Sequence, residues 1–155
     1  MRRSYYLLSA ALLLLVATQA PAQTGRTVPQ RPATATPPNA PNFVMPQGNA
    51  QHGQYLAEHV AMCVECHSAR DYEGNIIPTE KYLGAPIPFV PPSSDWATRA
   101  PRNRGLPGYS DQMAMRLLTQ GAIGRDGRQL KVPMPRFRMA PQDAADVIAF
   151  LRNYR

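Results

Sequence analysis

The chain has 155 residues, with 17 basic against 10 acidic side chains, a formal charge of +7, 17 prolines and only two cysteines. Its basic residues are scattered (Arg99, Arg102, Arg104, Arg125, Arg128, Lys131, Arg136, Arg138), and the lack of a dense block interleaved with aromatics excludes nucleic acid as the expected partner. Arg2 and Arg3 belong to the N-terminal segment; without them the balance is +5, a modest positive field suited to acidic partners or anionic surfaces.

Residues 1–22, "MRRSYYLLSAALLLLVATQAPA", read as a charged start, an apolar run of about 11 residues and a small-residue cleavage site, the layout of a secretory signal peptide. The run is well short of the roughly 20 apolar residues that span a bilayer as a helix. Cleavage after Ala22 is expected to leave a periplasmic or secreted chain beginning at Gln23. An uncleaved segment anchoring the chain to the inner membrane is the alternative. Residues 23–47 are rich in Pro, Ala and Thr, bury too little apolar surface to offset their ordering entropy, and read as a flexible linker or tail. Phe43 and its neighbours up to Pro46 are the part of this tail expected to dock on the folded domain.

Residues 48–155 are enough for one domain with its own core. In "NAQHGQYLAEHVAMC" the positions His52, Tyr55, Leu56, His59, Val60 and Cys63 recur at helical spacing, with Asn49 as N-cap, so one helix is expected to run up to the first cysteine. There follows "CVECH", Cys63 to His67. A close cysteine pair in an oxidising compartment can form a disulfide, but a thioredoxin-type site needs a strand-to-helix junction, and here a helix comes first. A zinc site lacks the second ligand pair of the usual spacing. The remaining reading is C-x-x-C-H, the attachment site of a c-type haem, with Cys63 and Cys66 bonded to its vinyl groups and His67 as proximal iron ligand. No other cysteine competes for this role.

A sixth ligand distinguishes an electron carrier from a site open to a gas or peroxide. Met113 and Met115 lie in a helix expected between a Ser110 cap and a Gly121 stop, and read as core or helix surface. Met134, in "KVPMPRF", sits between two prolines in a stiff extended loop able to hold a thioether in place. Met139 stands just before the last helix, where an apolar residue staples the first turn. Met134 is therefore the expected ligand. The last helix, within "APQDAADVIAFLRNYR", has Pro141 at its first position, Asp143 in its first turn, and Arg152 and Arg155 at its end. Ala144, Val147, Ile148 and Leu151 form its buried stripe, extended by Phe150 and Tyr154. Ala140 is a poor cap.

The order of these parts resembles a class I cytochrome c domain, most closely the monohaem cytochromes and cytochrome subunits that serve periplasmic dehydrogenases. The stretches carrying the resemblance are "GQYLAEHVAMCVECHSARD", "GLPGYSDQMAMRLLTQG", "DGRQLKVPMPRF" and "DAADVIAFLRNYR". It implies an all-α fold, a small helical bundle wrapped around one covalently attached haem, with long Pro-rich loops. It implies Cys63 and Cys66 as haem attachment sites, and His67 and Met134 as iron ligands. It also implies a tight crossing of first and last helices, with Gly53 and Tyr55 facing Phe150 and Leu151. The family's prolyl carbonyl that accepts the histidine N–H has two candidates here, Pro78 and Pro86. Tyr82, Phe89 and Trp96 are placed at the haem edge or in plain core, and Trp96 or Arg99 near a propionate.

The function implied is a one-electron carrier rather than an enzyme. Its donor would be a dehydrogenase and its acceptor an oxidase or another cytochrome, docking through an acidic surface. The same residues suit a haem subunit fixed to a dehydrogenase or oxidase complex. A five-coordinate haem sensor or enzyme is the reading of a different class, and it requires that no methionine reach the iron.

Overall fold

The computed structural model describes residues 43–154, all within one compact unit. The expected signal peptide, residues 23–42 of the expected linker, and Arg155 lie outside the described residues. No helix among the described residues is long and apolar enough to cross a membrane. The described chain is mostly helical: α1 Ala50–Tyr55, α2 Cys63–His67, α3 Asp111–Thr119 and α4 Pro141–Asn153. A short antiparallel pair, β1 Ala85–Pro86 with β2 Arg99–Ala100, departs from a purely helical expectation.

Asn49 caps α1 as its sequence position suggests, its side-chain oxygen accepting from the N–H groups of Gln51 (3.0 Å) and His52 (3.2 Å). The helix does not run on to Cys63. From Leu56 to Val60 the turn widens to a π-helix, closed by the Ala61 N–H on the Leu56 carbonyl at 2.7 Å. Met62 then takes a left-handed conformation (φ 51°), and α2 starts afresh at Cys63. The expected apolar stripe is corrected accordingly: the buried positions are Gly53 and Ala57, while Tyr55 and Val60 are more than half exposed. Small size decides which face is buried, because α4 comes too close for anything larger.

That closeness is a backbone contact. A Cβ added at Gly53 would overlap the Asp146 carbonyl oxygen and lie 2.9 Å from the Val147 nitrogen. The crossing of first and last helices is thus centred on Gly53 against Asp146 and Val147, not on Tyr55 against Phe150 and Leu151. On α4 the expected stripe of Ala144, Val147, Ile148 and Leu151 is buried, together with Ala145, Phe150 and Asp146. Met115 and Leu118 of α3 join this core, and Phe43, Met45 and Met139 pack against it. Ser110 caps α3 through the Met113 N–H (3.2 Å), and Gly121 (φ 94°) follows its end. Ala140 makes no side-chain cap. Arg152 does more than complement the helix end: its guanidinium donates to the carbonyls of Gly105 (3.0 Å) and Tyr109 (2.6 Å) and to Asp111 (3.0 Å), tying residues 105–111 to α4.

Asp146 is a charged residue in this core, only 3% exposed. One of its oxygens accepts from the Asn49 N–H (2.7 Å) and the Gln142 amide (2.9 Å), and the other pairs with His52 Nδ1 (2.7 Å). Burial alone would push its carboxyl up, but these donors outweigh it and hold it below the ordinary value of 3.8. A depressed folded-state value means that the stabilisation is fully present above about pH 4 and lost as pH falls through the folded value. Stability measured by denaturant titration should therefore fall below pH 4. Asp146→Asn should flatten this acid limb and lower stability at pH 7 by about 2 kcal/mol, because at least one buried donor is left facing an amide N–H.

Candidate functional site

The break at Met62 turns the cysteines and His67 toward a cavity of about 350 Å³, within the range of small-molecule and cofactor sites. Cys63, Cys66, His67 and Met134, the four residues singled out in the sequence, all line it. Met139 does not; it packs on the core, and its N–H donates to the Leu118 carbonyl (3.0 Å). Apolar walls come from three elements: Leu117 and Leu118 of α3, Ile148 and Leu151 of α4, and Phe137 beside the Met134 loop. Arg99, Arg102 and Lys131 also line the cavity, and no carboxylate does.

His67 is buried, and its Nδ1 lies 2.7 Å from the carbonyl oxygen of Pro101. A carbonyl can only accept, so Nδ1 carries the proton and Nε2 is left as the unprotonated donor atom. Burial lowers the imidazole pKa, opposed in part by this hydrogen bond, so the ring is neutral at pH 7. Neither Pro78 nor Pro86 fills this role. Pro78 opens a 3₁₀ turn and Pro86 sits in β1 opposite Arg99. The ladder that holds Pro86 is nevertheless the reason Pro101 arrives: β2 ends at Ala100, one residue before it.

A clamp around residues 82–84 fixes both sides of this hydrogen bond. The Gly84 N–H donates to the His67 carbonyl (2.9 Å), and the Tyr82 N–H donates to Ser68 Oγ (3.1 Å). The Tyr82 carbonyl accepts from the N–H groups of Asn103 (3.1 Å) and Arg104 (3.0 Å), just past Pro101. Tyr82 pays for this with a left-handed backbone (φ 62°) and a buried hydroxyl that has no partner. Gly84 (φ 87°) leaves room only for hydrogen: a Cβ there would come within 2.7 Å of the Arg102 nitrogen and 2.9 Å of the Pro101 carbonyl carbon.

Both cysteines are unbridged. Burial pushes the Cys63 thiol up to about 11, a rise that its own backbone hydrogen bond reduces and the neighbouring Cys66 adds to. Cys66 is also raised, by burial and by Glu65, with Arg70 opposing. Thiol–disulfide enzymes use the opposite setting, a depressed thiol pKa. The donor set at the cavity (two thiols, one imidazole nitrogen, one thioether, in apolar walls) suits a soft or intermediate metal held in an apolar cofactor. Asn103 also lines the cavity, with its side-chain oxygen buried and unpartnered among the described residues. A second group of possible metal ligands, His52, Asp143 and Asp146, stands apart from this cavity at the α1–α4 junction, where both Asp146 oxygens are already hydrogen-bonded.

Of the aromatics expected near the site, none lines the cavity. Tyr82 packs edge-on to Phe150 (5.6 Å between centroids) and Tyr154 (5.0 Å), and Phe89 packs edge-on to Trp96 (5.9 Å). Arg99 does line it. Sequence reasoning missed Pro101, Gly84, Arg102 and Asn103; the signal available was a Gly and a Pro on facing strands, which only their pairing makes meaningful. The chain matches no family model and no curated protein.

Gly84→Ala should displace the Pro101 carbonyl and lower stability by roughly 1–3 kcal/mol through overpacking and a disfavoured φ. Proton NMR at neutral pH should show one solvent-protected imidazole N–H in the parent chain and its loss or broadening in the variant. An unchanged signal would mean that the clamp does not hold the ring.

Proposed function

We propose that the chain is a class I cytochrome c: a periplasmic one-electron carrier with a single c-type haem. The observation that carries this reading is the His67 imidazole, held by the Pro101 carbonyl in the tautomer that leaves Nε2 free, in one apolar cavity with both thiols and the Met134 thioether. The helical packing of α1 on α4 and the buried core beside it support the fold.

On this reading Cys63 and Cys66 hold the haem, each S–H adding across one vinyl double bond to give a thioether. Their raised pKa values keep them as thiols until then. The haem iron supplies one-electron redox chemistry. His67 Nε2 binds the iron from one side, and Pro101 fixes the ring so that no rotation accompanies a change of charge. Met134 binds from the other side, held by Pro133 and Pro135 in a loop that does not depend on the metal bond for its shape. The walls from α3 and α4 exclude water. With both axial positions taken there is no vacant coordination site for a gas or substrate, which favours a carrier over a sensor.

Denaturation followed by acid–acetone extraction should leave one haem mass on the chain; haem that extracts freely overturns the reading. Met134→Ala should abolish the far-red thioether-to-iron band of the oxidised protein, lower its potential and open the reduced protein to carbon monoxide. Met139→Ala should keep all three properties and cost roughly 2 kcal/mol of packing.

The redox partner is an acidic protein, either a dehydrogenase as donor or an oxidase or second cytochrome as acceptor. Arg99, Arg102 and Lys131 at the cavity form no ion pair among the described residues, and the field they create is uncompensated there. The bimolecular electron-transfer rate should fall as ionic strength shortens the Debye length to about 10 Å at 0.1 M. A rate flat with salt would point to a chain fixed in a complex.

A further inference from the structure

We infer that the chain carries a second, polar site that binds a small oxyanion such as inorganic phosphate. The site is a cavity of about 240 Å³ between the first turns of α3 and the loop of residues 124–127, lined by Ser110, Gln112, Arg116, Arg125 and Asp126. It is separate from the cavity that holds Cys63 and His67, shares no lining residue with it, and does not rest on the haem reading.

Two facts point to an anion. Gln112 Nε2 and Arg116 Nε are both buried, both without a hydrogen-bond partner, and both line this cavity. Each is an N–H donor, and a buried donor left unmet costs about 1–3 kcal/mol, more when it is charged. What is missing at this place is therefore an acceptor. The second fact is charge. Two guanidinium groups face the cavity against one carboxylate. Arg116 is fixed by a 2.8 Å hydrogen bond from Nη2 to the Gly124 carbonyl, which is neutral and leaves its charge uncompensated. Arg125 folds over Gly108 and forms no ion pair among the described residues. The carboxylate, Asp126, is more than half exposed and already accepts from the Arg128 N–H (3.1 Å).

An oxyanion with three or four acceptor oxygens can meet Arg116 Nε, the Gln112 amide and the Arg125 guanidinium together. A chloride ion offers no such fork-matching geometry, and a bulky organic anion would find only the space of a few atoms. Free phosphate and a phosphoryl or carboxylate group on a larger metabolite share this chemistry.

Isothermal titration of the purified full-length protein with inorganic phosphate, against sodium chloride of equal ionic strength, tests the site. The expected result is one saturable phosphate site per chain and a melting temperature that rises with phosphate but not with chloride. Arg125→Gln, at the exposed wall, should weaken phosphate roughly tenfold with the fold intact, as loss of one charge-assisted hydrogen bond implies. Arg116→Lys should weaken it as much despite keeping the charge, because lysine has no Nε donor in a planar fork. Arg138→Gln, outside the cavity, should leave the affinity unchanged. Titration with acetate and with a phosphorylated sugar then separates a carboxylate or phosphoryl group on a larger molecule from free phosphate. The inference is overturned if chloride stabilises as well as phosphate, or if Arg138→Gln weakens binding as much as Arg125→Gln. In the first case the Gln112 amide, whose N and O atoms are assigned rather than observed, is turned to accept from Arg116.

Discussion

The contact on which the rest of this molecule depends is backbone against backbone, Gly53 of α1 on Asp146 and Val147 of α4. Helices packed through side chains stand 8–10 Å apart; a glycine at the contact lets them come nearer. The Asp146 carboxylate then reaches the N–H at the start of α1 and the His52 ring, and so ties two ends of the domain that are 97 residues apart in sequence. Once α1 is seated, the chain must leave its far end in a set direction. The π turn and the left-handed Met62 deliver Cys63, Cys66 and His67 to the cavity beside the Val147, Ile148 and Leu151 face of the same α4. One helix is thus both the platform for the N-terminal segment and a wall of the site.

The second constraint concerns the imidazole. A histidine in an apolar cavity is free to rotate and to choose its tautomer unless something outside the cavity decides for it. Here the decision is made by a carbonyl on a different loop, and that loop is held to the histidine's own backbone through Tyr82 and Gly84. The strain is placed two residues from the point of contact, in the backbone of a fully buried tyrosine, and the surrounding hydrogen bonds over-determine it.

Much of this was legible in the sequence. Asn49, Ser110 and Pro141 mark helix starts by chemistry local to a few residues, and the Cys63-x-x-Cys66-His67 spacing and the proline-flanked Met134 are equally local. All four site residues do meet in one cavity. What failed was non-local. The stripe on α1 was read from large apolar residues, but the position of α4 rewards the smallest side chains, so Gly53 and Ala57 are buried and Tyr55 is not. Pro101 could not be chosen over Pro78 or Pro86 because its role depends on a two-residue strand pairing, too short to leave a periodicity. Asp146 looked like a solvent-facing residue between apolar neighbours; its partners come from the opposite end of the domain.

The position of α4 in the chain has a consequence for biosynthesis. Val147, Ile148 and Leu151 wall the cavity, and Arg152 fastens the loop that carries Leu106, Pro107 and Tyr109 over it. All of these follow the cysteines by some 80 residues or more or are held by residues that do. A nascent chain that has just exposed Cys63 and Cys66 therefore has reactive thiols but no pocket. Any ligand attached then would be held by those thiols alone, on an unfolded polypeptide. Attachment and enclosure are separate events in time, and machinery acting on this chain can work on an accessible strand and leave the last helix to close the door.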